Sequence, residues 1–108
     1  MNTTIITGFV GKDPVYKQVG ANKTELAEFS VATTKKRGEE QVVTWFTCEA
    51  WANQAGICKV VELAKGNPVT IQGEVSANAY VDKEGNPRAE LKLNVTQLVT
   101  HAKRESSE

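Results

Sequence analysis

The chain has 108 residues, 40% of them hydrophobic and 24% charged, enough for one domain with a modest core. Its 13 basic and 13 acidic side chains cancel, which argues against a strongly basic nucleic-acid protein but leaves room for a local basic groove on a neutral body. No run of 18 apolar residues occurs, and the start, MNTTIITGFVGKDP, has neither a basic n-region nor a long apolar h-region, so neither a membrane span nor a signal peptide is expected and the chain reads as cytoplasmic.

Residues 3–10, TTIITGFV, are rich in β-branched side chains and predict a first strand. Gly11, Asp13 and Pro14 break it, and VYKQV is placed to continue it past the break. A turn at Gly20, Ala21 and Asn22 leads into TELAEFSVATTKK, a second strand with Ala27, Phe29 and Val31 on one face. Residues 37–41 predict a short hairpin loop around Gly38. The third strand is VVTWFTCEAW. Alternation puts Val42, Phe46, Cys48 and Ala50 on its core face and Val43, Trp45, Thr47, Glu49 and Trp51 on the other.

The period then changes. Ile57, Val60, Val61 and Ala64 have the spacing of an amphipathic helix over residues 53–65, with Asn53 as N-cap and Gly66 as the C′ residue. A fourth strand, PVTIQGEVSANAYVD, carries Val69, Ile71, Val75, Ala77, Ala79 and Val81 on one face and Tyr80 on the polar one. KEGNP is a turn, and AELKLNVTQLV is a last strand with Leu91, Leu93 and Val95 inward. Three strands, a helix and two strands give an all-β class and the order of a five-stranded OB-fold, a Greek-key barrel with one helix between strands three and four. The expected domain is residues 1–101, followed by a short polar tail at 102–108.

The polar faces hold the functional signal. Trp45, Trp51 and Tyr80 stand where a wet aromatic ring gains little for folding. Nucleic-acid bases have flat π-faces, and stacking one on an aromatic ring contributes about 1–3 kcal/mol without reading sequence. The alternative is that these rings plug the barrel ends or sit in a subunit interface. Lys35, Lys36 and Arg37 form a basic run entering the hairpin, suited to phosphates, with Lys12, Lys17 and Arg88 as further candidates. Glu49 shares the tryptophan face and is unfavourable beside a phosphate. No catalytic constellation is visible: His101 is the only histidine, GFVGKDP fits neither a P-loop nor a dinucleotide fingerprint, and no cofactor or metal site is expected. Cys48 and Cys58 are too few and too far apart for a metal cluster or a redox pair, and read as buried thiols.

Taken together, GKDP, EFSVATTKK, TWFTCEAW, KGNPVTIQGEV and YVDKEGNPRAEL, in this order and spacing over roughly residues 2–100, resemble the bacterial single-stranded-DNA-binding protein (SSB) family. The resemblance implies an OB-fold that coats single-stranded DNA in replication, repair and recombination, without enzymatic activity, usually as a homotetramer, in the bacterial cytoplasm at the nucleoid. The family's stacking aromatics fall on Trp45, Trp51 and Tyr80. Phe46 stands where the third strand contributes to subunit contacts, and implies an oligomer contact in a tetramer or dimer.

The chain also departs from the family pattern. Arg37 takes the place of a hairpin tryptophan, Thr47 that of a basic residue, and Ser76, Ala77, Asn78 and Ala79 precede Tyr80 where basic residues are usual. The sequence ends at Glu108, short of the long tail and acidic tip through which the family recruits repair enzymes, as expected either of a binding domain cut from a longer chain or of a short variant that does not recruit by that route. The positive charge lost at Thr47 and at residues 76–79 implies weaker DNA binding or a smaller site than is usual in the family. The competing reading is an OB-fold interaction subunit of a replication or primosome assembly, which zero net charge favours.

Overall fold

The computed structural model describes residues 1–102, so all of the expected polar tail except Ala102 lies outside the described residues. The elements are β1 (Thr4–Val10), β2 (Val15–Val19), β3 (Thr24–Arg37), β4 (Glu40–Trp51), α1 (Asn53–Val60), β5 (Pro68–Val81) and β6 (Pro87–Thr100). Hydrogen bonding runs β1, β5, β6, β4, β3 and back to β1, which closes a five-stranded barrel. The pairings are antiparallel except β4 with β6. This is the expected OB-fold.

The break after β1 resolves the role of VYKQV. β1 meets β3 at Phe9↔Ala32 and Val10↔Val31, and β2 resumes beside the same strand at Val15↔Glu28. Residues 11–14 bulge outward between the two pieces, held by the Gly11 N–H donating to the Ser30 carbonyl at 2.8 Å. β2 therefore continues the first strand along β3 as a separate element.

The core is the inward-facing set of all five barrel strands: Ile6 and Val10, Ala27, Phe29 and Val31, Phe46, Cys48 and Ala50, Val69 and Ile71, Leu93, Val95 and Leu98. Full burial of each large apolar side chain contributes about 1.5–3 kcal/mol. Closure leaves no room for a side chain at Gly73, where a Cβ would lie 2.2 Å from the Asn94 carbonyl oxygen. There the β5–β6 register shifts by one residue, so that Thr96 is left unpaired in a bulge and its hydroxyl donates to the Gln72 carbonyl.

The helix departs from its sequence pattern. It spans only Asn53–Val60 and buries Ala55 and Cys58, while Ile57, Val60 and Val61 are exposed, Val60 by 82%. The helix packs on β3, β4 and β6 with its two smallest apolar side chains, which permit the close approach that a β-branched face would prevent. Ala52, not Asn53, occupies the N-cap position, with no side-chain cap bond. At the other end the Glu62 N–H bonds to the Lys59 carbonyl and the Leu63 N–H to the Cys58 carbonyl, with Glu62 at φ 53°. This is a Schellman termination with Glu62 rather than Gly66 at C′, and its closing apolar contact is Leu63, itself buried.

Two further expectations fail for one reason. Val42 on β4 and Ala77, Ala79 and Val81 on β5 have core parity but are exposed. Both hairpins, β3–β4 and β5–β6, run on past the closed barrel, and among the described residues no second layer covers their inner faces there.

Candidate nucleic-acid interface

Trp45 is 55% exposed and sits on the outward face of β4, opposite Ala32 of β3. Its indole does not stand free. A Cβ placed on Gly11 would lie 2.3 Å from Trp45 Cζ3 and 2.9 Å from Cη2, so the benzo edge rests on the bare backbone of the bulge after β1. Glycine at position 11 is what seats the ring. Trp51 lies on the same face, six residues and roughly 20 Å of strand away. It is half-buried, and its cross-strand neighbour Leu26 is buried despite its outward parity. Part of the Trp51 ring is thus used in packing.

Between the two tryptophans lies a half-open groove of about 390 Å³, lined by Lys12, Val15, Glu28, Phe29, Ser30 and Thr47. The charges beside it are largely compensated. Lys17 binds Glu28 at 2.6 Å and Lys92 lies 3.9 Å from Glu49. Glu49 does share the tryptophan face, as expected, with a cation beside it. Glu90 is different: it accepts hydrogen bonds from Thr47 Oγ1 and Asn78 Nδ2, both at 3.3 Å, and has no cationic partner among the described residues. Glu90 carries no motif that singles it out in the sequence, although its even parity with Arg88 and Lys92 marks the same face.

Tyr80 is 46% exposed near the tip of the β5–β6 hairpin. The pairings Ser76↔Lys92, Asn78↔Glu90 and Tyr80↔Arg88, with Thr47↔Lys92 across to β4, make its face continuous with that of Trp45. Arg88 donates through Nε to Asp82 Oδ2 at 2.9 Å. Asp82 also accepts from the Glu84 and Asn86 N–H groups, and Arg88 first, then these amides, hold its carboxyl below the usual carboxylate range. Arg88 therefore helps to build the turn, and much of its charge is answered locally.

The basic run divides between two faces. Lys36, opposite Gln41, shares the outward parity of Trp45, whereas Lys35 and Arg37, opposite Val42 and Glu40, have the opposite one. Lys12 is exposed at the groove rim. Phe46 packs in the chain's own core at 9% exposure, leaving little of its ring for any partner. Cys48 and Cys58 are buried and unpaired. Burial pushes the Cys48 thiol up to about 12 and the Cys58 thiol to about 11.

The comparisons with known proteins agree with this fold. The family model described as "Single-strand binding protein family" matches residues 1–100. A single-stranded DNA-binding protein of Chlamydia trachomatis is 27% identical over 94 residues, covering 86% of this chain and 58% of that protein. One from Deinococcus radiodurans is 29% identical over 103 residues, covering 91% of this chain and 33% of that protein. The chain thus spans little more than half the length of the first of these relatives, and less of the second. Among solved structures, the Plasmodium falciparum SSB in complex with single-stranded DNA superimposes with a TM-score of 0.74 at 19% identity, over 94% of this chain and 96% of the other. The small single-stranded DNA-binding protein of Streptomyces coelicolor gives 0.71 at 21% identity, over 92% and 93%. With the family model matched along essentially the whole barrel, the chain belongs to the single-strand binding protein family.

Proposed function

We propose that this chain binds single-stranded DNA across the outward face of β3 and β4 and along the β5–β6 hairpin. The observation that carries the reading is one continuous surface holding three aromatic rings, Trp45, Trp51 and Tyr80, that folding leaves partly exposed. Bases stack on these rings, while Lys12 and Lys36 stand nearest to the phosphates and Lys35, Arg37 and Arg88 at the margins. Stacking is indifferent to base identity, so binding is independent of sequence. Family membership and a fold neighbour solved with single-stranded DNA support the same reading. The family setting is DNA replication, repair and recombination in the bacterial cytoplasm, by a homo-oligomer, tetramer or dimer, that binds rather than catalyses. The pairing of Lys17 and Lys92 beside the groove, and Glu90 with no cationic partner among the described residues, make both affinity and salt dependence weaker than a basic groove would give.

Titration of intrinsic fluorescence with poly(dT) at low and moderate salt tests this. Stacking on the indoles quenches emission, added salt weakens the binding, and Trp45→Ala reduces both signal and affinity. Absence of quenching at low salt rejects DNA binding. It favours the reading that the compensated charges of the groove also permit, a surface for a protein partner.

A further inference from the structure

We infer that Phe9 is a fourth base-stacking ring, seated beside Trp45 across Ala32. The inference rests on the proposed DNA-binding reading and adds to it a residue that the sequence pattern did not single out. On β1 the inward positions are Ile6, Gly8 and Val10, all buried, so Ile5, Thr7 and Phe9 face outward. Phe9 is 58% exposed. A lone exposed phenylalanine needs no explanation. This one has a specific neighbourhood.

Phe9 pairs with Ala32, and Ala32 pairs with Trp45 on its other side. The three side chains form one row across β1, β3 and β4, on the face that carries the groove. Two strand spacings separate the outer members, roughly 10 Å. The residue between them is alanine, so no bulk stands between the rings. The indole also leans toward β1, since its benzo edge lies over Gly11, two residues beyond Phe9 and of the same parity. Phe9 and Trp45 thus extend a single aromatic surface, and the exposed Lys12 follows at once on the groove rim, where a phosphate between two stacked bases finds a cation. The ligand is an unpaired base of single-stranded DNA, purine or pyrimidine. The row supplies a platform that Arg37 in the hairpin cannot.

The test measures oligo(dT) affinity, its salt dependence and the mass of the assembly by light scattering for Phe9→Ala, Phe9→Leu and Phe9→Trp. Phe9→Ala weakens binding about 5-fold or more, the lower end of a single stacked base. It leaves the salt slope and the mass unchanged, because stacking releases no counterions. Phe9→Trp retains affinity and deepens the quench, whereas Phe9→Leu binds as weakly as the alanine variant. Thermal melting of each variant close to that of the parent confirms that folding is intact, as expected for an exposed side chain. Parental affinity in Phe9→Ala, or full affinity in Phe9→Leu, overturns the inference. A fall in assembly mass together with affinity also overturns it and assigns Phe9 to a subunit contact. If poly(dT) fails to quench the parent protein, the underlying DNA-binding reading has failed, whatever the Phe9 variants do.

Discussion

In the barrel body Phe29, Val31, Ile71 and Leu93 alternate with polar residues and are fully buried; in the β5–β6 arm Ala77, Ala79 and Val81 alternate just as strictly and stay exposed. The strands are the same continuous strands. The difference is closure. Where five strands curl on themselves, the inward face meets other inward faces and water leaves. Where a hairpin runs on alone, the same alternation sorts side chains onto two faces and removes neither from water. Alternation thus assigns faces, while burial depends on whether another layer covers them. The arms can give their surfaces to a ligand because the core does not depend on them.

Breaking the body should have the largest effect. Ile71→Ala empties a fully buried position away from the groove and should destabilise the fold by about 2–5 kcal/mol in urea unfolding, while the protein that remains folded binds oligo(dT) as before. An equal loss of affinity would mean that body and face are not separable. Tyr80→Ala, in the arm, should do the reverse. Binding should weaken by about 1–3 kcal/mol in fluorescence titration, with stability within about 0.5 kcal/mol of the parent.

Charge effects on the face should be smaller. Glu90→Gln keeps the side chain's shape and can still accept from Thr47 or Asn78, but removes an uncompensated negative charge beside the expected phosphate path. It should tighten oligo(dT) binding by less than about 1 kcal/mol at low salt, and the gain should fade as salt rises. A gain independent of salt would point to a change of shape instead.

The cysteines mark the body from within. With thiols raised to about 12 and about 11 by burial, Cys48 and Cys58 should resist thiol reagents at pH 8 in the folded protein and react once it unfolds. The sign of the pH dependence follows. Thiols whose folded values exceed the ordinary value of 9.0 favour the folded state fully below that value. That contribution is lost as pH rises toward the folded values, so the melting temperature should fall through this alkaline window.

Much of this was legible in the residues. The strand order, the placement of the helix after β4 and the outward parity of Trp45, Trp51 and Tyr80 all follow from period-two patterning and turn residues. The helix face was not, because Ile57, Val60 and Val61 fit the helical period as well as Ala55 and Cys58 do. Only the tight approach to the barrel end selects the small pair. The exposed ends of the two hairpins were hidden too, since nothing in Ala77 or Val81 says where closure stops. At the site, the division of Lys35, Lys36 and Arg37 between faces was readable from parity. The seating of Trp45 on Gly11 was not, because it joins residues 34 positions apart through a bulge whose path the sequence does not give.

The central claim is that the ligand lies on the outward face of β3, β4 and the β5–β6 arm. Mapping backbone amide shifts by NMR as oligo(dT) is added tests it most directly. The account predicts the largest changes at residues 30–32, 45–51 and 76–80, with the helix and its exposed Ile57, Val60 and Val61 little affected. Changes centred on the helix, with Trp45 and Tyr80 unmoved, would contradict it.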